Sequence, residues 1–359
     1  MPRKTDDRDD DARDRQQELD RRALQSGGLP KAAIDRLQEQ ANSPDKCFSS
    51  DLSTREFLLL QNTQVRPLGQ VMGTAFMTVP KEQQVINRQS GNTFDQSSGD
   101  SDLDRERSIR RMMNNKSTYF QGGQQPVTGE LIDLTMSRLE VRRSALSRME
   151  MEAELLNASG VVGVRAITKV HDWSVKTVEY TVFGTAVHIP GHTETRPFMS
   201  LLDGQEFWQL WTAGYEPRGI ALGVCSYTDC TDYSTIHGRN YNQEIAAYTQ
   251  SFYEAREIAM RRIVSDLKRM KARGAVGMKI DYDFEEAESE VDVSDVTSIK
   301  YLHLVTHLVV MGTAIARRKP TANDTPRGRT MLIYDLRKPG SASVEFTARS
   351  KGQEAGSED

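Results

Sequence analysis

The sequence predicts an α+β fold in which one two-layer unit, ordered strand, strand, helix, strand, strand (ββαββ), occurs twice in tandem. Three observations predict it. First, short motifs recur in the same order. Glu56-Phe57, Pro67, Gly69 and Gly73 return 150 residues later as Glu206-Phe207, Pro217, Gly219 and Gly223. Glu130, Thr135, Glu140, Arg142, Ala145 and Arg148 return at an offset of 114 as Glu244, Thr249, Glu254, Arg256, Ala259 and Arg262, and Phe183-Gly184-Thr185-Ala186-Val187 returns at an offset of 128 as Met311-Gly312-Thr313-Ala314-Ile315. Second, apolar residues fall at three- and four-residue steps from Leu131 to Leu156 and from Ile245 to Met270, the mark of an amphipathic helix in each copy. Third, the flanking segments are β-branched and punctuated by glycine, as strands are.

Residues 1 to 17 mix Asp and Arg with almost no apolar side chain and are expected to be disordered. Leu19, Ala23, Leu24, then Gly27-Gly28-Leu29-Pro30, then Ala33, Ile34 and Leu37 predict a short helical hairpin, most simply solvated, so that 1–50 is a tail. The first unit spans 51–192, with strands at 56–60, 65–79, 161–168 and 175–188. It contains a Gln/Asn/Ser-rich stretch, 81–126, which reads as an insertion because the second copy joins the same elements without it. The second unit spans 197–318, with strands at 206–210, 215–229, 275–282 and 300–316, and 319–359 is a polar tail with a short hairpin. One helix covers one face of a sheet, so each second face must meet a partner or water.

Composition excludes several classes. With 47 Lys and Arg against 51 Asp and Glu, the net charge of -4 lacks the basic footprint of a nucleic-acid binder. Three cysteines, Cys47, Cys225 and Cys230, make no disulfide framework. The N-terminus MPRKTDDRDD lacks a signal's apolar core, and the apolar stretch Leu302 to Ala316 is too short to span a bilayer and is broken by His303 and His307. The expectation is a cytoplasmic protein without a membrane span.

Tyr248-Thr249, Glu254-Ala255-Arg256-Glu257, Ala259-Met260 and Gly277, with Val161-Val162-Gly163-Val164-Arg165, Glu179-Tyr180 and Phe183 to Val187, resemble the YbjQ-like family, whose label is "putative heavy-metal-binding domain". Gly214-Tyr215-Glu216-Pro217 with Gly219 and Gly223 is similar to that family's first hairpin. The resemblance implies a two-layer α+β fold and ring-shaped, typically pentameric, homo-oligomers. It carries over no ligand set. Copy one departs from the pattern in having Leu134 where copy two has Tyr248, in lacking Cys and His in its first hairpin, and in its insertion.

Chemistry-bearing residues are sparse. Cys225, Cys230 and His237 form the Cys/His cluster and are the metal candidates, although four residues between the cysteines is looser than a structural zinc knuckle and a buried thiol beside a loop thiol is the plainer reading. No cofactor is fixed by the sequence; a transition-metal ion is the candidate. His303 and His307 are mapped by the repeat onto a strand face turned away from the unit's own helix, about 13 Å apart at 3.3 Å per residue, so a metal there would need histidines from neighbouring subunits. Arg142, Arg148, Arg256 and Arg262 are expected in solvated or intersubunit ion pairs, Gly160 as a helix cap, and Glu285, Glu286, Glu288 and Glu290 in a solvated polar loop. No catalytic motif survives: there is no Gly-x-Ser-x-Gly elbow, His-Glu-x-x-His pair, Walker loop or Rossmann opening. The expected function is a non-enzymatic, ring-forming oligomer with an assembly or ligand-binding role and a tail open to a protein partner. The alternatives are a metal sequestration or sensing protein and an enzyme with an intersubunit site.

Overall fold

The computed structural model describes residues 6–42, 49–61, 65–82, 128–173, 175–192, 196–232, 244–294, 297–318, 331–332 and 345–346. The chain divides into Met1–Ala316 and Arg317–Asp359. The first unit opens with helices α1 (Asp6–Gln25), α2 (Lys31–Asn42) and α3 (Thr54–Gln61), followed by strands β1 (Arg66–Thr78) and β2 (Gly129–Glu130). Helix α4 (Ile132–Leu155), β3 (Gly160–Asp172), β4 (Lys176–His188), β5 (Phe198–Met199) and helix α5 (Gly204–Thr212) come next. Then come β6 (Tyr215–Asp232), α6 (Ala246–Arg269), β7 (Gly274–Ser294) and β8 (Thr297–Arg317). In the second unit, β9 (Met331–Leu332) and β10 (Glu345–Phe346) pair antiparallel.

Two four-stranded sheets result, ordered β1-β4-β3-β5 and β2-β6-β8-β7. The helices lie where alternation of the strands requires. Val71, Ala75, Val178, Tyr180 and Val182 point from sheet one into a cluster with Ala145 and Met149 of α4. The same cluster takes Ile220, Leu222, Val224, Val305 and Val309 of sheet two, so α4 is buried between the sheets. The intervening positions Ala221, Cys225, Leu308 and Val310 meet Ala255, Ala259 and Ile263 of α6 on the far side. The layers thus run sheet, helix, sheet, helix. Sheet two carries α4 on one face and α6 on the other, with Met278, Ile280, Tyr282 and Phe284 along β7 left exposed on the α6 side. On sheet one the face away from α4 is covered at one end, where Val162 and Val187 pack with Leu60 of α3 and Phe207 of α5, and elsewhere it leaves Met72, Phe76, Ile167 and Trp173 exposed.

Close packing of helix on strand rests on glycine and on polar clamps. A Cβ on Gly73 would stand 1.9 Å from Ala145 O, and one on Gly223 would stand 2.2 Å from Ala259 O. Arg148 Nη1 donates to Thr74 O at 2.6 Å and Arg262 Nη1 to Val224 O at 2.6 Å. Glu152 accepts from Met72 N at 2.9 Å, and Asp266 from Leu222 N at 3.2 Å.

Several expectations are corrected. Residues 56–60 and 206–210 are helical, not strands, because Ser53 and Asp203 each exchange hydrogen bonds with a glutamate three residues on, Glu56 and Glu206. Residues 6–17 belong to α1, and the hairpin is docked: Leu37 is fully buried, Arg148 Nη2 donates to Leu24 O, and Gln40 Nε2 donates to Leu68 O. Helix α4 ends at Leu155 with Leu156 as its cap and Asn157 in the left-handed region at φ 53°, rather than at Gly160, which begins β3. Of the four repeated arginines, Arg148 and Arg262 clamp strand carbonyls and Arg142 is buried, its guanidinium 5.0 Å from the centroid of the Tyr180 ring. Most of 81–126 lies outside the described residues.

Candidate functional site

Between the sheets the apolar cluster gives way to a buried charged one. Its groups come from far-separated segments: Glu82 just after β1, Arg138 on α4, Lys176 at the start of β4, Glu285 on β7 and His307 on β8. Each is placed by its element. His307 shares a strand face with Val305 and Val309, which pack toward α4, and Arg138 lies one helical turn before Arg142 on α4. Lys176 Nζ donates to both oxygens of Glu82 at 2.9 Å and also to Glu285 Oε2. Arg138 Nη2 reaches Glu285 Oε1 at 3.4 Å. Two carboxylates and two cations therefore balance in a largely buried cluster, in which Glu285 keeps some exposure.

His307 completes the cluster. Its Nδ1 is 3.0 Å from Ser226 Oγ, while Nε2 points between the carboxylates, 3.5 Å from Glu82 Oε1 and 3.6 Å from Glu285 Oε1, too poorly aligned for a hydrogen bond. Burial pushes its pKa down to about 4, so the ring is neutral at pH 7. Burial alone would raise Glu82, but the nearby His307 ring and the two hydrogen bonds from Lys176 outweigh that and hold it well below the usual carboxylate range. Burial raises Glu285, against the pull of Lys176. Burial also lowers Arg142, to about 10, which leaves it charged at neutral pH.

The donor set can be compared with that of a metal site. The ligand atoms of Glu82, Glu285 and His307 all lie within 4.8 Å of one another, and two carboxylates with one imidazole suit zinc or iron(II) by type. The same carboxylate oxygens already hold the Lys176 ammonium, so a metal could enter only by displacing the chain's own cation. For His307 the expectation that only neighbouring subunits could supply further ligands is corrected: Glu82 and Glu285 come from the same chain.

The Cys/His candidates are distributed otherwise. Cys225 is buried against α6, and burial raises its thiol pKa strongly, which makes it a packing residue. Cys230 Sγ is 3.7 Å from His303 Nε2, whose pKa burial lowers to about 4. His303 Nδ1 is 3.5 Å from Thr228 Oγ1. The structure thus pairs Cys230 with His303 rather than with Cys225, and His237 lies outside the described residues. Glu285 and Glu286 lie on β7, not in a loop. Sequence reasoning did not find Glu82, Lys176 and Glu285 as site residues. Only the strand alternation that turned His307 away from α6 pointed toward this place.

A second concavity, of about 210 Å³, is lined by Asp51, Glu56, Arg165, Asp203, Glu206 and Lys279 among others. Its acids are engaged in structure: Asp51 pairs with Arg165 at 3.3 Å, Glu56 accepts from Gly204 N at 3.1 Å, and Asp203 and Glu206 cap α5.

The chain is 29% identical over 263 residues, 71% of its length and 84% of the relative's, to the encapsulin nanocompartment protein Rv1762c of Mycobacterium tuberculosis. No solved structure matches. Residues 108–190 match the family described as "Putative heavy-metal-binding" (YbjQ_1). The matched stretch takes in α4, β3 and β4, begins inside the segment read as an insertion, and leaves β1 outside. No helix among the described residues is long and apolar enough to cross a membrane. Residues 108–190 are thus similar to the YbjQ-like family, and they contain the motifs around Gly163, Glu179 and Gly184 that carry the resemblance.

Proposed function

We propose that this protein is a non-enzymatic, cytoplasmic subunit of a ring-shaped homo-oligomer, built from two YbjQ-like units in tandem, whose work is assembly or ligand binding at subunit interfaces. The observation that carries this reading is the uncovered face of sheet one. Met72, Phe76, Ile167 and Trp173 are 50%, 57%, 44% and 58% exposed there, a concentration of apolar surface that marks an interaction site. The tandem reading is supported by the matched clamps, since Arg148 to Thr74 and Arg262 to Val224 keep both sequence offsets, as do Glu152 to Met72 and Asp266 to Leu222. The name of the nanocompartment relative supports an assembly role.

The resemblance favours a pentamer. Five units cannot be made from whole chains that carry two, so a pentamer here means five chains and ten units. Sedimentation velocity of the intact chain at micromolar concentration tests the reading, and a lone monomer would end it. The second reading, metal sequestration or sensing, is favoured by the Glu82, Glu285 and His307 donor set. Metal analysis of the purified protein tests it: near one ion per chain, lost in His307→Gln and Glu285→Gln, would establish it over the lysine-filled cluster. Should the assembled particle turn over small substrates, an enzyme with an intersubunit site would replace both.

A further inference from the structure

Sheet two has a long helix on each face and sheet one on a single face, so the junction of sheet two with α4 shows what is missing from sheet one. On sheet two, the face away from α6 is covered by α4, and the β6 edge is extended by β2, the residues that lead into α4. The junction has a definite pattern. Gly129 and Glu130 pair with Thr228 and Tyr227, Leu131 N donates to Ser226 O at 2.8 Å, and Thr135 Oγ1 accepts from Ser226 N at 2.8 Å. Arg138 then reaches Glu285 across the sheet face.

Applying the sequence offsets gives the equivalent positions. Ser226 corresponds to Phe76, and β1 forms the outer edge of sheet one, with no strand beside it among the described residues. Leu131, Thr135 and Arg138 correspond to Ile245, Thr249 and Phe252, at and just before α6. Glu285 and His307 correspond to His171 and Glu179, which pair at 2.9 Å on the uncovered face, the same two residue types exchanged. Thr135 is fully buried under the covering contact, whereas Thr249 is exposed.

We propose that the uncovered face and outer edge of sheet one receive α6 and the residues leading into it from a second copy of this chain, repeating between chains the junction that α4 and β2 make within one. The proposal rests on the tandem and assembly readings above. Chemistry sets the direction. Helix α4 brings Arg138 to a face with Asp281, Asp283 and Glu285 on alternate positions of β7. Helix α6 has Phe252 at the Arg138 position, where it packs on its own chain's Tyr282 and Phe284 at 5.5 and 6.2 Å, but it exposes Tyr253 at the position of buried Leu139, and the face that awaits it has Ile167, His171 stacked on Trp173 at 4.5 Å, and Phe76 stacked on His171 at 6.4 Å. An arginine helix is matched to acids and an aromatic helix to an apolar and aromatic face, so the exchange of either helix is disfavoured. Such contacts are heterologous, head to tail, and close into a ring when the rotation allows.

The test uses two full-length variants, Phe76→Arg on the receiving face and Thr249→Arg on the inserting helix. Both positions are exposed in the single chain, so circular dichroism should match the wild type. If Phe76→Arg loses its fold, Ile167→Arg on the same face takes its place. By light scattering, each variant alone is expected to be a monomer. Their mixture is expected to form a 1:1 heterodimer and nothing larger, because one chain keeps the helix and the other keeps the face. Variants that assemble to the wild-type size, or a mixture that stays monomeric, would overturn this interface while leaving assembly standing. A monomeric wild type would overturn the assembly reading with it.

Discussion

Lys176 sits between two largely buried carboxylates, and its removal would leave them facing one another with less compensating charge. Its side chain is 9% exposed and bridges Glu82 and Glu285. Lys176→Met should destabilise the fold by roughly 3–5 kcal/mol, the penalty for an uncompensated buried charge, measured as a lowered urea midpoint at pH 7. The loss should shrink at lower pH, where Glu285, whose pKa burial raises, takes up a proton. His307 titrates in the opposite sense from a salt-bridged histidine. Its folded pKa of about 4 lies below the ordinary imidazole value of 6.5, so the stability it contributes is complete above pH 6.5 and is lost as pH falls toward 4. The loss reaches about 3 kcal/mol by pH 4, from the size of the shift. Stability measured from pH 7 to 4 should therefore fall less steeply in His307→Gln than in the wild type; equal slopes would show that the ring does not titrate there.

At the scale of the elements, helix and strand meet through Gly73 and Gly223. Gly73→Ala would drive a methyl group into Ala145 O, which is backbone and cannot rotate away, so β1 and α4 must separate. Overpacking of this kind costs about 1–3 kcal/mol, and the upper end is expected because the contact is so short. Thermal unfolding followed by circular dichroism measures it; an unchanged midpoint would contradict the packing described. The long helices and strands were legible in sequence because their periodicity is imposed by burial: Val71 and Ala75 alternate with exposed neighbours, and Ala145 and Met149 return to one face. The segments 56–60 and 206–210 misled because Phe57 and Phe207 are also good strand formers, and the capping glutamates three residues beyond Ser53 and Asp203 decided for helix. The charged cluster was hardly legible. Its members, at 82, 138, 176, 285 and 307, share no spacing, and Glu285 counts as a solvated acid until α4 is placed over β7. The Cys225–Cys230 pairing likewise gave way to strand geometry, which sends one thiol toward α6 and the other to His303.

For the whole molecule, α4 serves both sheets at once, which fixes the two sheets in one compact unit and leaves α6 at one end and the far face of sheet one at the other. A chain with two such ends is suited to a closed ring, and the acidic balance, net charge -4, adds no strong repulsion against it. The proposed oligomeric role is tested most directly by native mass spectrometry of the wild-type protein over a dilution series at neutral pH. A single species at a whole-number multiple of 40.4 kDa, persisting on dilution without a ladder of intermediates, is the predicted result. A spectrum containing only the 40.4 kDa chain would contradict it.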